Sequence, residues 1–208
     1  MSKLPVELLT GTANASIILL HGLGADGYDL APIAKALNLP DVRFILPHAA
    51  SRPVTVNGGY VMPAWYDIRQ PDISQEQDEA GFLASRAVVA DLIQHEIARG
   101  IGSERIVLAG FSQGGAVALY SGLTLGLPLA GIAALSTYLP QLPAATPEIP
   151  KIWAAHGIHD DIIPLNLSQA SYARLPKTQL EMYTYPMAHE ISLNEIADLR
   201  AWLVVQLA

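Results

Sequence analysis

Short, largely apolar runs of strand length recur along this chain, at residues 16–20, 42–46, 105–110, 129–135, 152–155 and 180–185. A strand that is apolar on both faces suits a buried parallel sheet better than a half-exposed hairpin. The stretches between the runs carry helical spacing. Phe82, Val89, Ile93 and Ile97 fall on one face, and Gly100 is placed to end that helix. Residues 115–124 read as a short buried helix, and residues 191–206 carry Leu193, Ile196, Leu199 and Leu203 at helical spacing. This alternation predicts an α/β fold, a three-layer α/β/α sandwich with a mostly parallel central sheet.

The 208 residues suit one domain, 1–208, with a sizeable core. Hydrophobic residues at 51% against 15% charged argue against disorder. Twelve basic and nineteen acidic residues leave a net charge of −7 with no basic cluster. That balance argues against nucleic acid as a partner and against a polybasic membrane patch. The chain has no cysteine, which excludes disulfides, cysteine-ligated zinc and a thiol nucleophile. No apolar stretch is long enough to span a bilayer, so any membrane contact is expected to be peripheral. The first seven residues, ending in Glu7, lack the apolar core of a signal peptide. A cytoplasmic protein is expected. Residues 49–79 break the rhythm: Pro, Gly, aromatic and acidic residues follow no clear period. Short strands are expected there, serving as a surface excursion or as a wall or lid over a site.

Gly110-Phe111-Ser112-Gln113-Gly114-Gly115 follows one apolar run and opens an apolar helix. This is G-x-S-x-G in a strand–turn–helix context, where a tight turn pushes the serine hydroxyl out of the sheet. Side chains two residues to either side of the serine would meet backbone, so both positions call for glycine. A serine needs a base, and the base needs an orienting acid. In this context the chain order is Ser, then Asp or Glu, then His. Of six histidines, His189 alone lies beyond the candidate acids. The acid is expected in the loop after residues 152–155, where Asp160 and its neighbour Asp161 compete; the spacing His156-Gly157-x-x-Asp160 favours Asp160. Two backbone N–H groups are expected to receive an oxyanion, those of Gln113 and Leu23.

Two other patterns carry less. Gly22-Leu23-Gly24-Ala25-Asp26-Gly27 matches G-x-G-x-x-G, but the following strand ends in Leu46-Pro47-His48 without the acid a dinucleotide ribose requires. His156-x-x-His159-Asp160 offers metal-ligand types with no partner motif elsewhere. Neither a metal nor a cofactor is expected.

His21 to Gly27, Pro63-Ala64-Trp65-Tyr66-Asp67, the serine motif, His156-Gly157 with Asp160, and Pro186-Met187-Ala188-His189 occur in that order. Together they resemble the carboxylesterase/acyl-protein thioesterase family of α/β-hydrolases, closest to its bacterial carboxylesterases. Asp161 departs from a position where many members carry Pro, and the segment 144–148 looks ordinary and short. The resemblance implies a Ser112–Asp160–His189 triad, an oxyanion hole at Leu23 and Gln113, no large cap domain and often a homodimer. It implies hydrolysis of short-chain carboxylic esters, lysophospholipids or protein-bound acyl thioesters. Leu23, Tyr60, Met62, Trp65, Tyr66, Ile68 and Ile73 are candidates to wall an acyl pocket, although Trp65 and Tyr66 could instead pack the loop onto the sheet. A catalytically silent binding protein and a serine peptidase are the alternatives.

Overall fold

The computed structural model describes residues 4–72, 75–142 and 149–208. Ile73 and the segment 144–148 therefore lie outside the described residues. Among those described, seven strands form one sheet: β1 (Val6–Leu8), β2 (Ala15–Leu20), β3 (Val42–Leu46), β6 (Ile106–Phe111), β7 (Gly131–Leu135), β8 (Ile152–Gly157) and β9 (Leu180–Tyr185). Their spatial order is β1-β3-β2-β6-β7-β8-β9, parallel throughout except that β1 runs antiparallel to β3. The helices are α1 (Ala31–Leu37), α2 (Glu79–Ala98), α3 (Gln113–Thr124), α4 (Leu165–Tyr172) and α5 (Leu193–Gln206). This is the α/β-hydrolase arrangement, a mostly parallel sheet between helical layers.

The all-apolar runs have a direct physical reason. Ile18 and Leu20 of β2 join the core shared with α2 and α3, whereas Ile17 and Leu19 join the core shared with α1 and α5. Alternate residues feed opposite layers, so a central strand has no face left for water. The last run differs. β9 is an edge strand, with Glu181, Tyr183 and Thr184 exposed and Tyr185 buried.

Two helix registers need correction. In α2 the buried face runs Phe82, Ser85, Val89, Ile93 and then Glu96, leaving Ile97 38% exposed. The 3.6-residue period carries the stripe to position 96, where Glu96 accepts hydrogen bonds from the Ser16 hydroxyl and from Arg43 and Arg99. Gly100 takes φ 92°, the left-handed conformation that ends a helix. In α5 the buried face is Glu195, Ile196, Leu199, Trp202 and Leu203, and Leu193, at the first helical position, is 82% exposed. A capping box at Ser192 and Glu195 opens this helix. The short elements β1, α1 and α4 carry no period long enough to read.

Residues 49–79 do contain short strands. β4 (Ser51–Val54) and β5 (Tyr60–Pro63) form an antiparallel hairpin outside the main sheet. Asp67 then accepts from the Thr55 N–H and hydroxyl, and Asp78 accepts from the Asp67 N–H and from Arg69. Among the described residues this hairpin and its return are the largest excursion from the sheet, and no cap domain is inserted.

Candidate active site

Ser112 lies at the turn between β6 and α3 with φ 53° and ψ −119°, a region few non-glycine residues occupy. The turn is held from several sides. The Ser112 N–H donates to Leu135 O at 2.9 Å, and the Thr137 hydroxyl donates to Ser112 O at 2.7 Å. The flanking glycines are sterically required: a Cβ on Gly110 would overlap the backbone of Gly114, and one on Gly114 the carbonyls of Leu20 and His21.

The ends of β8 and β9 deliver the acid and the base. Past the strand ends, Ile158 N–H donates to Tyr185 O at 2.9 Å and His159 N–H to Met187 O at 3.1 Å. Gly157 permits this approach, since a Cβ there would overlap the carbonyls of Met187 and Ala188. His189 and Asp160 are thereby brought together, with His189 Nδ1 2.7 Å from Asp160 Oδ2 and His189 Nε2 2.9 Å from Ser112 Oγ. A carboxylate can only accept, so the imidazole hydrogen lies on Nδ1 and Nε2 is free to accept from the serine. Asp160 is buried, and its Oδ1 accepts the N–H groups of Ile162 and Ile163 at 3.0 and 2.8 Å. Asp161 is exposed, so the structure separates the two neighbouring aspartates. The Phe111 ring packs against the His189 ring, with centroids 4.9 Å apart.

A cavity of about 410 Å³ opens over Ser112, lined by Leu23, Tyr66, Ile68, Gln113, Tyr138 and His189 among others. Leu23 and Gln113 face it together, and neither backbone N–H is taken up by a carbonyl among the described residues. Of the pocket residues proposed from the sequence, Leu23, Tyr66 and Ile68 line this cavity. Trp65 does not: it is buried beneath, donating from Nε1 to His21 O at 2.9 Å. Tyr60 is exposed on β5, and neither it nor Met62 lines the cavity. The walls sequence reasoning missed are Asp29, Phe111, Tyr138, Ile162 and Ile163, of which only Phe111 carried a signal, as the neighbour of the serine.

Two buried side chains set this geometry without facing substrate space as reacting groups. The Gln113 amide accepts from the Trp65 N–H and donates to Tyr66 O, both at 2.8 Å, which fastens the 64–66 segment over the turn. His21 donates from Nδ1 to Gly22 O at 2.7 Å and accepts the Ala49 N–H at Nε2 at 3.0 Å. Burial holds its imidazole below the ordinary pKa, so it remains a neutral strut of the Gly22–Leu23 loop. In the pattern His156-x-x-His159-Asp160, His156 is buried against Asp160 and His159 is exposed. Among the described residues no group of three or more His, Asp or Glu side chains could hold a metal ion. No helix described is long and apolar enough to cross a membrane.

A serine at a strained strand–helix turn, on a parallel sheet of this order, defines an α/β-hydrolase-fold serine hydrolase. The profile of the family described as Phospholipase/Carboxylesterase matches residues 3–207. The chain is 41% identical to acyl-protein thioesterase 1 of Neurospora crassa, over 100% of this chain and 94% of that protein. It is 38% identical to acyl-protein thioesterase 1 of Cryptococcus neoformans, over 91% of each. Among solved structures, acyl-protein thioesterase 2 of Zea mays superposes with a TM-score of 0.86 at 29% identity, covering 98% of this chain and 99% of that one. SOBER1 of Arabidopsis thaliana superposes at 0.85 with 30% identity, covering 96% and 100%. The chain belongs to the phospholipase/carboxylesterase family.

Proposed function

We propose that the protein hydrolyses acyl esters through Ser112 as nucleophile, His189 as general base and acid, and Asp160 as the group that orients His189. The observation that carries this reading is the continuous hydrogen-bond chain from Ser112 Oγ through His189 to Asp160 Oδ2, at 2.9 and 2.7 Å. Ser112 Oγ attacks the acyl carbonyl carbon while His189 Nε2 takes the hydroxyl proton. The carbonyl oxygen, now anionic, is received by the N–H groups of Leu23 and Gln113, the latter at the N-terminus of α3. The alcohol or thiol leaves with the proton from His189, and the acyl group remains on Ser112. Water then adds with His189 again as base, releasing the acid and restoring Ser112.

The substrate class is an acyl ester, with short-chain carboxylic esters, lysophospholipids and acyl-protein thioesters as its members. The names of the relatives in Neurospora and Cryptococcus favour the last of these. A mostly apolar cavity lined by Leu23, Ile68 and Phe111 supports an acyl group at the serine. A cytoplasmic location and action without a cofactor belong to the same reading.

The test is a rate series on p-nitrophenyl esters of increasing acyl length and on an S-acylated cysteine peptide, with wild type and Ser112→Ala side by side. Serine-dependent turnover supports the reading. Its maximum along the series assigns short esters or long-chain lipids and thioesters. Turnover that survives Ser112→Ala refutes it, and absence of turnover on every substrate returns the silent-scaffold alternative. Cleavage of plain peptides alone would assign a peptidase.

A further inference from the structure

We propose that His156 is a positioning residue for Asp160, a buried neutral imidazole that shares the Asp160 carboxylate with His189 and tempers its hold on the base. This rests on the roles given above to Ser112, His189 and Asp160. His156 is the penultimate residue of β8 and is fully buried. Its Nε2 lies 2.7 Å from Ile163 O and 3.2 Å from Asp160 Oδ2, the same oxygen that His189 Nδ1 approaches at 2.7 Å. A carbonyl only accepts, so the His156 hydrogen sits on Nε2 and is shared between Ile163 O and Asp160 Oδ2. Its Nδ1 is buried with no hydrogen-bond partner among the described residues.

That unpartnered nitrogen decides the charge. A proton on Nδ1 would bury an unpaired N–H and set a second cation against His189. Burial in fact depresses the His156 pKa, and the neighbourhood of His189 adds to the effect. The hydrogen bond to Ile163 O and the Asp160 carboxylate oppose it without overcoming burial, and the loop's other ionisable side chains, His159 and Asp161, are exposed. His156 therefore stays a fixed dipole, and the charge that develops during reaction is reserved for His189. With two backbone N–H groups on Oδ1 and two imidazoles at Oδ2, the carboxylate has no free direction in which to turn. His156 does not line the cavity, so it acts through Asp160 and not on substrate.

The experiment compares full pH profiles of kcat and kcat/KM for wild type, His156→Phe and His156→Gln, with thermal midpoints for each. In His156→Phe the carboxylate loses one donor and supports protonated His189 more strongly. The acid limb of kcat/KM should move to higher pH by about 0.5 unit, with kcat lowered and KM unchanged. His156→Gln, which keeps an N–H at similar reach, should return the limb toward its wild-type position. A limb that stays in place or moves to lower pH in His156→Phe, whatever the fall in thermal midpoint, shows a merely structural histidine and overturns the proposal. If His156→Phe does not fold, His156→Asn, whose amide stops short of Asp160, is read by the same criteria. Ser112→Ala is run alongside. Turnover that survives it overturns this proposal together with the reading beneath it, whereas serine-dependent turnover with an unmoved limb overturns this proposal alone.

Discussion

Ser112 occupies a backbone conformation that costs about 1–3 kcal/mol and persists because the strand and helix on either side over-determine it. Ser112→Ala should lower kcat by about 10⁶-fold, measured on the best ester of the series, with an unchanged circular dichroism spectrum. Asp160→Asn should lower kcat by about 10⁴-fold, because an amide can present N–H to His189 and favour the wrong tautomer. Ser112 and His189 are legible in the sequence because glycine spacing and chain order are local or topological facts. The preference for Asp160 over Asp161 rests on a spacing alone, since neighbouring aspartates differ only in direction. That direction comes from the backbone donors of Ile162 and Ile163. Gln113 is legible for its main chain and not for its side chain, whose partners at Trp65 and Tyr66 lie 48 and 47 residues away in sequence.

At the scale of elements, the Gln113 amide ties the turn to the segment that follows the hairpin. Gln113→Leu would leave the Trp65 N–H and Tyr66 C=O buried without partners, at about 1–3 kcal/mol each, a loss readable by urea denaturation. The start of α5 gives a pH-dependent counterpart. Burial raises the Glu195 carboxyl to about 8, against the pull of its hydrogen bond from the Ser192 N–H. Between about pH 4.3, where a free glutamate titrates, and the folded value, the native state holds a proton that the unfolded chain has released. This stabilisation is complete at acid pH and is lost as pH rises toward 8. Glu195→Gln keeps an acceptor for the cap and does not titrate, so its thermal midpoint relative to wild type should climb from pH 5 to pH 8. Long elements show themselves in the sequence because hydrophobic period accumulates over several turns. The three residues of β1 and the seven of α1 are too short for that, and the edge position of β9 depends on neighbours that the run itself does not encode.

For the molecule as a whole, the fold class is legible because every central strand must satisfy two apolar layers at once. Those layers share strands β2, β3, β6, β7 and β8, so neither can be lost while the other stays folded. We therefore propose one domain over 1–208, and expect a single calorimetric transition with equal calorimetric and van't Hoff enthalpies. The order of the sheet also bears on how activity is acquired. Ser112 and His189 stand 77 residues apart, and they meet only after β8 and β9 have been laid beside β7. Such distant pairings form slowly, since the loop between them must close before any contact rewards it. During refolding, helical signal and core burial should accordingly return before ester turnover does. Newly made chains would carry an unarmed serine until the far edge of the sheet is complete.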